Sequence, residues 1–208
     1  VELAVVLNAF REENIPAVVL KGAHLSELVY GNISLRPMDD IDLLIKNDDL
    51  RKVEKKFAAL GYLQSEDDAN RMRSVDPHHL TPFRKEGCKP IEVHWTLPSM
   101  DAAGVEGFWE RARRVEMAGC TALILSPEDL LIHLSVHASL HHRFGAGLRP
   151  LCDIAAAIDC YRDALDWKKL YTQARTCGVV NATYLTLHVA HELVNADVPQ
   201  KALRAMTL

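Results

Sequence analysis

Residues Asp40-Ile41-Asp42-Leu43-Leu44-Ile45 place two carboxylates at alternate positions at the start of an otherwise apolar run. Read as a β-strand, the run sends successive side chains to opposite faces. Asp40 and Asp42 then share one face, and Ile41, Leu43 and Ile45 the other. The apolar set can pack on helices, which leaves the two carboxylates side by side. Like charges this close repel, and each is driven towards protonation or a neutralising partner. A divalent cation resolves the conflict. Hard oxygen ligands suit Mg²⁺ (or Mn²⁺), which keeps some of its waters and accepts substrate phosphates as further ligands. Asp-x-Asp by itself is a common pattern of solvated turns and helix caps. Its context here is an apolar strand after it and a second strand before it, Ala17-Val18-Val19-Leu20, that ends in Lys21-Gly22.

Ile91-Glu92-Val93-His94-Trp95-Thr96-Leu97 has the same logic, with apolar odd positions and polar even ones. Glu92 and His94 share a face. If this strand lies beside the Asp40–Ile45 strand with faces aligned, three carboxylates converge. Three acids around two metal ions suit phosphoryl and nucleotidyl transfer. One ion lowers the pKa of an attacking hydroxyl and the other stabilises departing pyrophosphate. The competing reading of Glu92 is an exposed hairpin residue. His94 is either a supporting partner of the site or a filler beside it, and the filler is the preferred reading.

Hydrophobic period divides the chain. Helical spacing over residues 1–13 and 49–60 alternates with strands at 17–20 and 40–45, and a short helix is expected over 24–30. Residues 64–76 have no clear period and read as loop or weak helix. Residues 79–84 and 90–97 read as a hairpin around Lys85–Lys89. A helix is expected over 102–114 and an extended stretch over 120–125. Ser126-Pro127-Glu128-Asp129 is a helix start, with a capping serine, proline at the first position and acids in the first turn. From there the period is helical throughout. The expected fold is α+β: a small mixed β-sheet with flanking helices over 1–98, a connecting segment over 99–126, and a helical domain over 127–208. The abrupt end after Met206-Thr207-Leu208 leaves that last domain open to truncation.

Of the 208 residues, 49% are hydrophobic and 25% charged, the composition of a soluble globular protein. The formal net charge of -4 argues against a long nucleic acid as partner, because phosphate neutralisation supplies most of the affinity of such binders. No apolar run approaches membrane-span length. The five cysteines form no CxxC pair, so reduced thiols and a cytoplasmic location are expected.

Val18-Val19-Leu20-Lys21-Gly22, Tyr30, Arg36, Asp40-Ile41-Asp42-Leu43-Leu44-Ile45 and Ile91-Glu92-Val93-His94-Trp95 together resemble the uncharacterised nucleotidyltransferase family of the DNA polymerase beta-like superfamily. The resemblance extends more loosely to His137, Arg149 and Asp153. It implies that Asp40 and Asp42 bind both metal ions and that Glu92 ligates the catalytic one and helps to deprotonate the acceptor. It also implies that Gly22 lets the backbone approach a triphosphate. Two departures touch the phosphate contacts. Ala23 stands where the superfamily has serine, and the gap from Gly22 to Asp40 is longer than its general pattern. Lys21 and Arg36 are the cations available to compensate, the latter through a forked contact.

His133, His137 and His141 recur at steps of four, with His142 adjacent. Such spacing on a helix can bind zinc, but the nearby glutamate of a His-Glu-x-x-His pattern is missing, since position 134 is Leu. A helix face lining an interface is the preferred reading. The expected function is metal-dependent transfer of a nucleoside monophosphate from a nucleoside triphosphate to a hydroxyl on a small molecule or protein. A non-catalytic nucleotide- or partner-binding module of the same fold and a zinc-dependent hydrolase are the alternatives.

Overall fold

The computed structural model describes residues 2–65, 79–97 and 99–207. They form two compact units whose segments interleave along the chain. One comprises 1–96 with 112–124, the other 97–111 with 125–208.

The first unit is α/β in its layering. Helix α1 (Glu2–Glu12) buries Leu3, Val6, Leu7 and Phe10, the face given by helical spacing. Asn14 takes a left-handed turn, and the chain enters β1 (Ala17–Val19). Helix α2 (Lys21–His24) begins one residue after that strand and widens into a π-turn over Leu25–Val29. Strand β2 (Ile41–Ile45) follows, with all five residues buried. A 3-10 turn at Asn47–Asp49 leads into α3 (Leu50–Ala59). The helix stops before Gly61, whose φ of +83° suits a residue without Cβ. Strands β3 (Leu63–Gln64), β4 (Phe83–Arg84) and β5 (Ile91–His94) complete this half of the sheet. The 64–76 segment lies almost wholly outside the described residues.

After α4 (Ala102–Arg111), which belongs to the second unit, the chain returns as a hairpin of β6 (Arg113–Met117) and β7 (Cys120–Ile124). The described residues form a seven-stranded mixed sheet in the order β3-β4-β5-β2-β1-β7-β6. Two expectations change here. The helix expected over 102–114 ends at Arg111, and within the 99–126 segment read as a connection the strand β6 joins β7, which falls on the extended stretch expected at 120–125. The reason is chemical. β6 is an edge strand with Arg113, Arg114 and Glu116 in solvent, so only Val115 and Met117 remain to signal alternation. The turn at Ala118-Gly119, with φ of 52° and 77°, then reverses the chain. The core of this unit centres on Phe57, which meets Phe10 and Tyr62 edge-on at 5.3 and 5.1 Å and stacks on Phe83 at 4.2 Å.

The second unit is helical: α4, α5 (Pro127–Val136), α6 (Arg149–Cys160), α7 (Trp167–Thr176), α8 (Val180–Val194) and α9 (Gln200–Met206). Ser126 caps α5 as its sequence predicts, accepting the Asp129 N–H at 3.2 Å, and Pro127 takes the first turn. Every residue of α5 is buried, so it is the central helix of the unit. Its polar side chains are met internally. Glu128 accepts the Asp166 N–H at 2.9 Å, and Asp129 takes a two-pronged contact from Arg111 at 2.9 Å on each oxygen. A second π-turn, His137–His141, ends this helix.

Candidate active site

The site is built on three neighbouring strands. β1 runs antiparallel to β2 with Val19 opposite Leu43, and the Leu20 N–H extends the ladder by donating to the Asp42 carbonyl at 3.0 Å. β5 runs parallel to β2 in the register Ile41↔Ile91, Asp42↔Glu92, Leu43↔Val93, Leu44↔His94. The expected alignment of faces is therefore present, because the two alternating strands are adjacent and Asp42 is level with Glu92. Side chains on this face converge, while Ile41, Leu43, Ile45, Ile91 and Val93 join the unit's core.

Asp42 is the centre of the cluster and is wholly buried. Lys21 Nζ lies 2.7 Å from its Oδ2, and His94 Nε2 lies 3.0 Å from its Oδ1. His94 Nε2 is also 3.8 Å from the Glu92 carboxylate. The ligand atoms of Asp42, Glu92 and His94 all fall within 4.8 Å of one another. Asp40 does not join that set. It precedes the first residue of β2 and is half-buried, but its charge bears on Lys21 and Glu92.

The electrostatics follow from this crowding. Burial pushes the Asp42 carboxyl up, but Lys21 and His94 outweigh it and hold the group well below the usual carboxylate range. Burial works against the charged form of Lys21, yet Asp42, Asp40 and Glu92 together keep its pKa above the ordinary lysine value. Glu92 goes the other way. Burial and then the charges of Asp42 and Asp40 raise its pKa. Asp40 is raised by burial and by Asp42. One ammonium thus faces three carboxylates, two of which are held in a state that favours taking up a proton or a further cation.

Gly22, which the resemblance assigns to the triphosphate, lies in the first turn of α2 beside the loop that leads to Asp40. A Cβ there would stand 3.4 Å from the Met38 Cβ and 3.6 Å from the Asp40 carbonyl, an ordinary contact. Ser26, on the π-turn, ties the loop down, its one hydroxyl proton shared between the carbonyls of Gly22 at 2.8 Å and Arg36 at 2.6 Å. Arg36 is held near this loop, with Nη1 donating to the Pro37 carbonyl at 3.0 Å. Ala23, at the serine position of the wider superfamily, is buried in the apolar core.

His94, read as a filler, is a direct partner of Asp42. His79 packs its ring on His94 with centroids 5.0 Å apart and bridges to it through the backbone. The alternation that put His94 on the face of Glu92 carried the signal. The partner that gives it a role comes from a strand about fifty residues earlier.

The fold has solved counterparts. The antibiotic-resistance factor ANT(2'')-Ia, determined in solution, is 15% identical, covering 91% of this chain and 95% of its own, with a TM-score of 0.58. The same enzyme crystallised in complex with adenylyl-2''-tobramycin superposes with a TM-score of 0.56 over 83% of this chain and 92% of its own, at 15% identity. The lincosamide antibiotic adenylyltransferase LnuA, bound to lincomycin, gives a TM-score of 0.50 at 17% identity, over 75% of this chain and 94% of its own. At these identities the likeness is one of fold. No curated protein sequence matches the chain. The sequence model of one family, described as uncharacterised nucleotidyltransferase, matches residues 1–195. With nearly its whole length matched, and with the strand-borne carboxylates laid out as above, the chain belongs to the uncharacterised nucleotidyltransferase family.

Proposed function

We propose that this protein transfers a nucleoside monophosphate from a nucleoside triphosphate to a hydroxyl of a small-molecule acceptor, with Mg²⁺ or Mn²⁺ held by Asp40, Asp42 and Glu92. The observation that carries the reading is the level pairing of Asp42 with Glu92 across β2 and β5, beside a buried lysine ammonium. The residues fit a metal group. Lys21 already occupies the position of a counter-cation, and its single charge leaves the three acids under-neutralised. Oxygen donors from Asp40, Asp42 and Glu92 suit a hard divalent ion.

In this reading the acceptor oxygen bonds to the α-phosphorus, the bond to the β-phosphate oxygen breaks, and pyrophosphate leaves with the electron pair. Glu92 takes the hydroxyl proton on a carboxylate oxygen. Asp42 stays ionised throughout because Lys21 and His94 hold it so. His94 orients that carboxylate, and Gly22 leaves the backbone open to a phosphate oxygen. Arg36 supplies a guanidinium from the loop tied down by Ser26. A divalent cation held by Asp40, Asp42 and Glu92 would supply neutralisation of the negative charge that develops during transfer.

A small-molecule acceptor is supported by the acidic balance of the chain and by fold neighbours that act on antibiotics. The test is calorimetric titration of ATP, GTP, CTP and UTP into the protein, with and without Mg²⁺. The wild-type chain and an Asp40→Asn, Glu92→Gln variant, which leaves the Lys21–Asp42 pair in place, are compared. Binding that needs Mg²⁺ and is lost in the variant is expected. A folded wild-type protein that binds no triphosphate, or a variant that binds as well, would overturn the proposal.

A further inference from the structure

We propose that His137, His141 and His142 form a site for a zinc-class divalent cation, built by the helical unit alone. The inference does not depend on the nucleotide reading. In a regular α-helix, residues i and i+4 are neighbours, but i+5 is turned about 140° away. The π-turn changes this. The His142 N–H donates to the His137 carbonyl at 3.0 Å, an i to i+5 bond, so the wider turn brings both His141 and His142 round to flank His137.

The three rings touch in every pairing. Centroids are 5.4 Å apart for His137 and His141, 4.4 Å for His137 and His142, and 4.8 Å for His141 and His142. One ring nitrogen from each lies within 4.8 Å of the other two. Zn²⁺ bonds imidazole nitrogen at about 2.0–2.1 Å, so tetrahedral ligands stand about 3.4 Å apart. The present spacing closes to that value by side-chain rotation, and the exposed His141 and His142 have that freedom. Imidazole suits Zn²⁺ and its late first-row neighbours, unlike the oxygen-rich set around Asp42. Three protein ligands leave a position open to water or to an exogenous ligand.

The backbone beyond the site has a use for such a clamp. Arg143 and Phe144 follow with φ of 48° and 58°, a left-handed pair without glycine. Two tight bonds hold this reversal, from Phe144 N–H to the Ala138 carbonyl at 2.8 Å and from Gly145 N–H to the His142 carbonyl at 2.7 Å. Non-glycine residues in this region are strained and persist where surroundings over-determine them. A cation joining the two ends of the π-turn would add one such constraint.

The test uses the whole chain at about pH 7.5, where imidazole is neutral. Zn²⁺ is titrated by calorimetry, and Co²⁺ reports geometry through its visible absorption. To separate this site from the strand-borne acids, the titrations are made in the Asp40→Asn, Glu92→Gln background, where one equivalent of Zn²⁺, with an intense tetrahedral Co²⁺ band, is expected. Both are lost when His141→Ala, His142→Ala is added. His142→Gln alone in that background weakens Zn²⁺ by at least about tenfold, because the third ligand goes, whereas a simple i, i+4 pair would not respond. No binding in that background, equal binding after the double histidine change, or indifference to His142→Gln overturns the site.

Discussion

Asp42 and Asp129 are both wholly buried carboxylates, one in each unit, and their surroundings differ in a way that separates support from chemistry. Asp129 is closed. Arg111 grips both of its oxygens at 2.9 Å, and the Ser126 hydroxyl donates to one of them at 2.8 Å. It also lies in the first turn of α5, where the helix dipole favours negative charge. Its one charge meets one forked cation, although burial and, less strongly, the neighbouring Glu128 still push its pKa up. Asp42 has a single ammonium and an imidazole, but shares them with Asp40 and Glu92, whose pKa values are raised. A buried acid with a closed partner set holds a fold together. A buried acid amid surplus negative charge is a place for a ligand that brings positive charge.

Replacing Asp42 by Ala should have the largest effect. It strands Lys21 in a largely buried position and should cost about 3–5 kcal/mol by urea denaturation, as for other broken buried pairs. It should also abolish metal-dependent triphosphate binding. The double variant Lys21→Met, Asp42→Leu should recover much of the stability and none of the binding. Recovery of both would place Asp42 with Asp129 as a structural acid. Next is Arg111→Met, which leaves Asp129 with Ser126 alone and should cost about 3 kcal/mol. Triphosphate affinity per folded molecule should be unchanged, and a changed affinity would break the distinction between the two acids.

The smallest effect has the opposite sign. Glu92→Gln removes a carboxylate that Asp42 and Asp40 repel, so the metal-free protein should gain about 1 kcal/mol, or about 2–4 °C in Tm. The pH dependence follows the same sign. Because the folded pKa of Glu92 is raised, its contribution to stability is present below the unfolded value of about 4.3 and lost as pH rises through the folded one. That slope should appear in metal-free thermal scans of the wild type and be smaller in Glu92→Gln, where the raised Asp40 still contributes. A destabilised variant would mean that Glu92 is not under repulsion.

Much of the site was legible before any tertiary structure. The alternation in Asp40–Ile45 and in Ile91–His94 put Asp42 and Glu92 on definite faces, because period-two side-chain direction is a property of the strand itself. Ser126-Pro127 announced the start of α5 for an equally local reason. The helical second half was likewise written in its period. What the chain could not state locally was which strands become neighbours. That β2 lies between β1 and β5 is decided by burial of the whole sheet, and only that order delivers Lys21 and His94 to Asp42. β6 was hidden because an edge strand with charged residues on its open side carries half a pattern. The histidine cluster was visible as spacing, but its third member enters through a π-turn, a change of helical pitch that no residue in the run declares. Local geometry determined which faces carry the carboxylates. Long-range packing decided which of those faces meet, since pairing energy depends on partners far away in the chain.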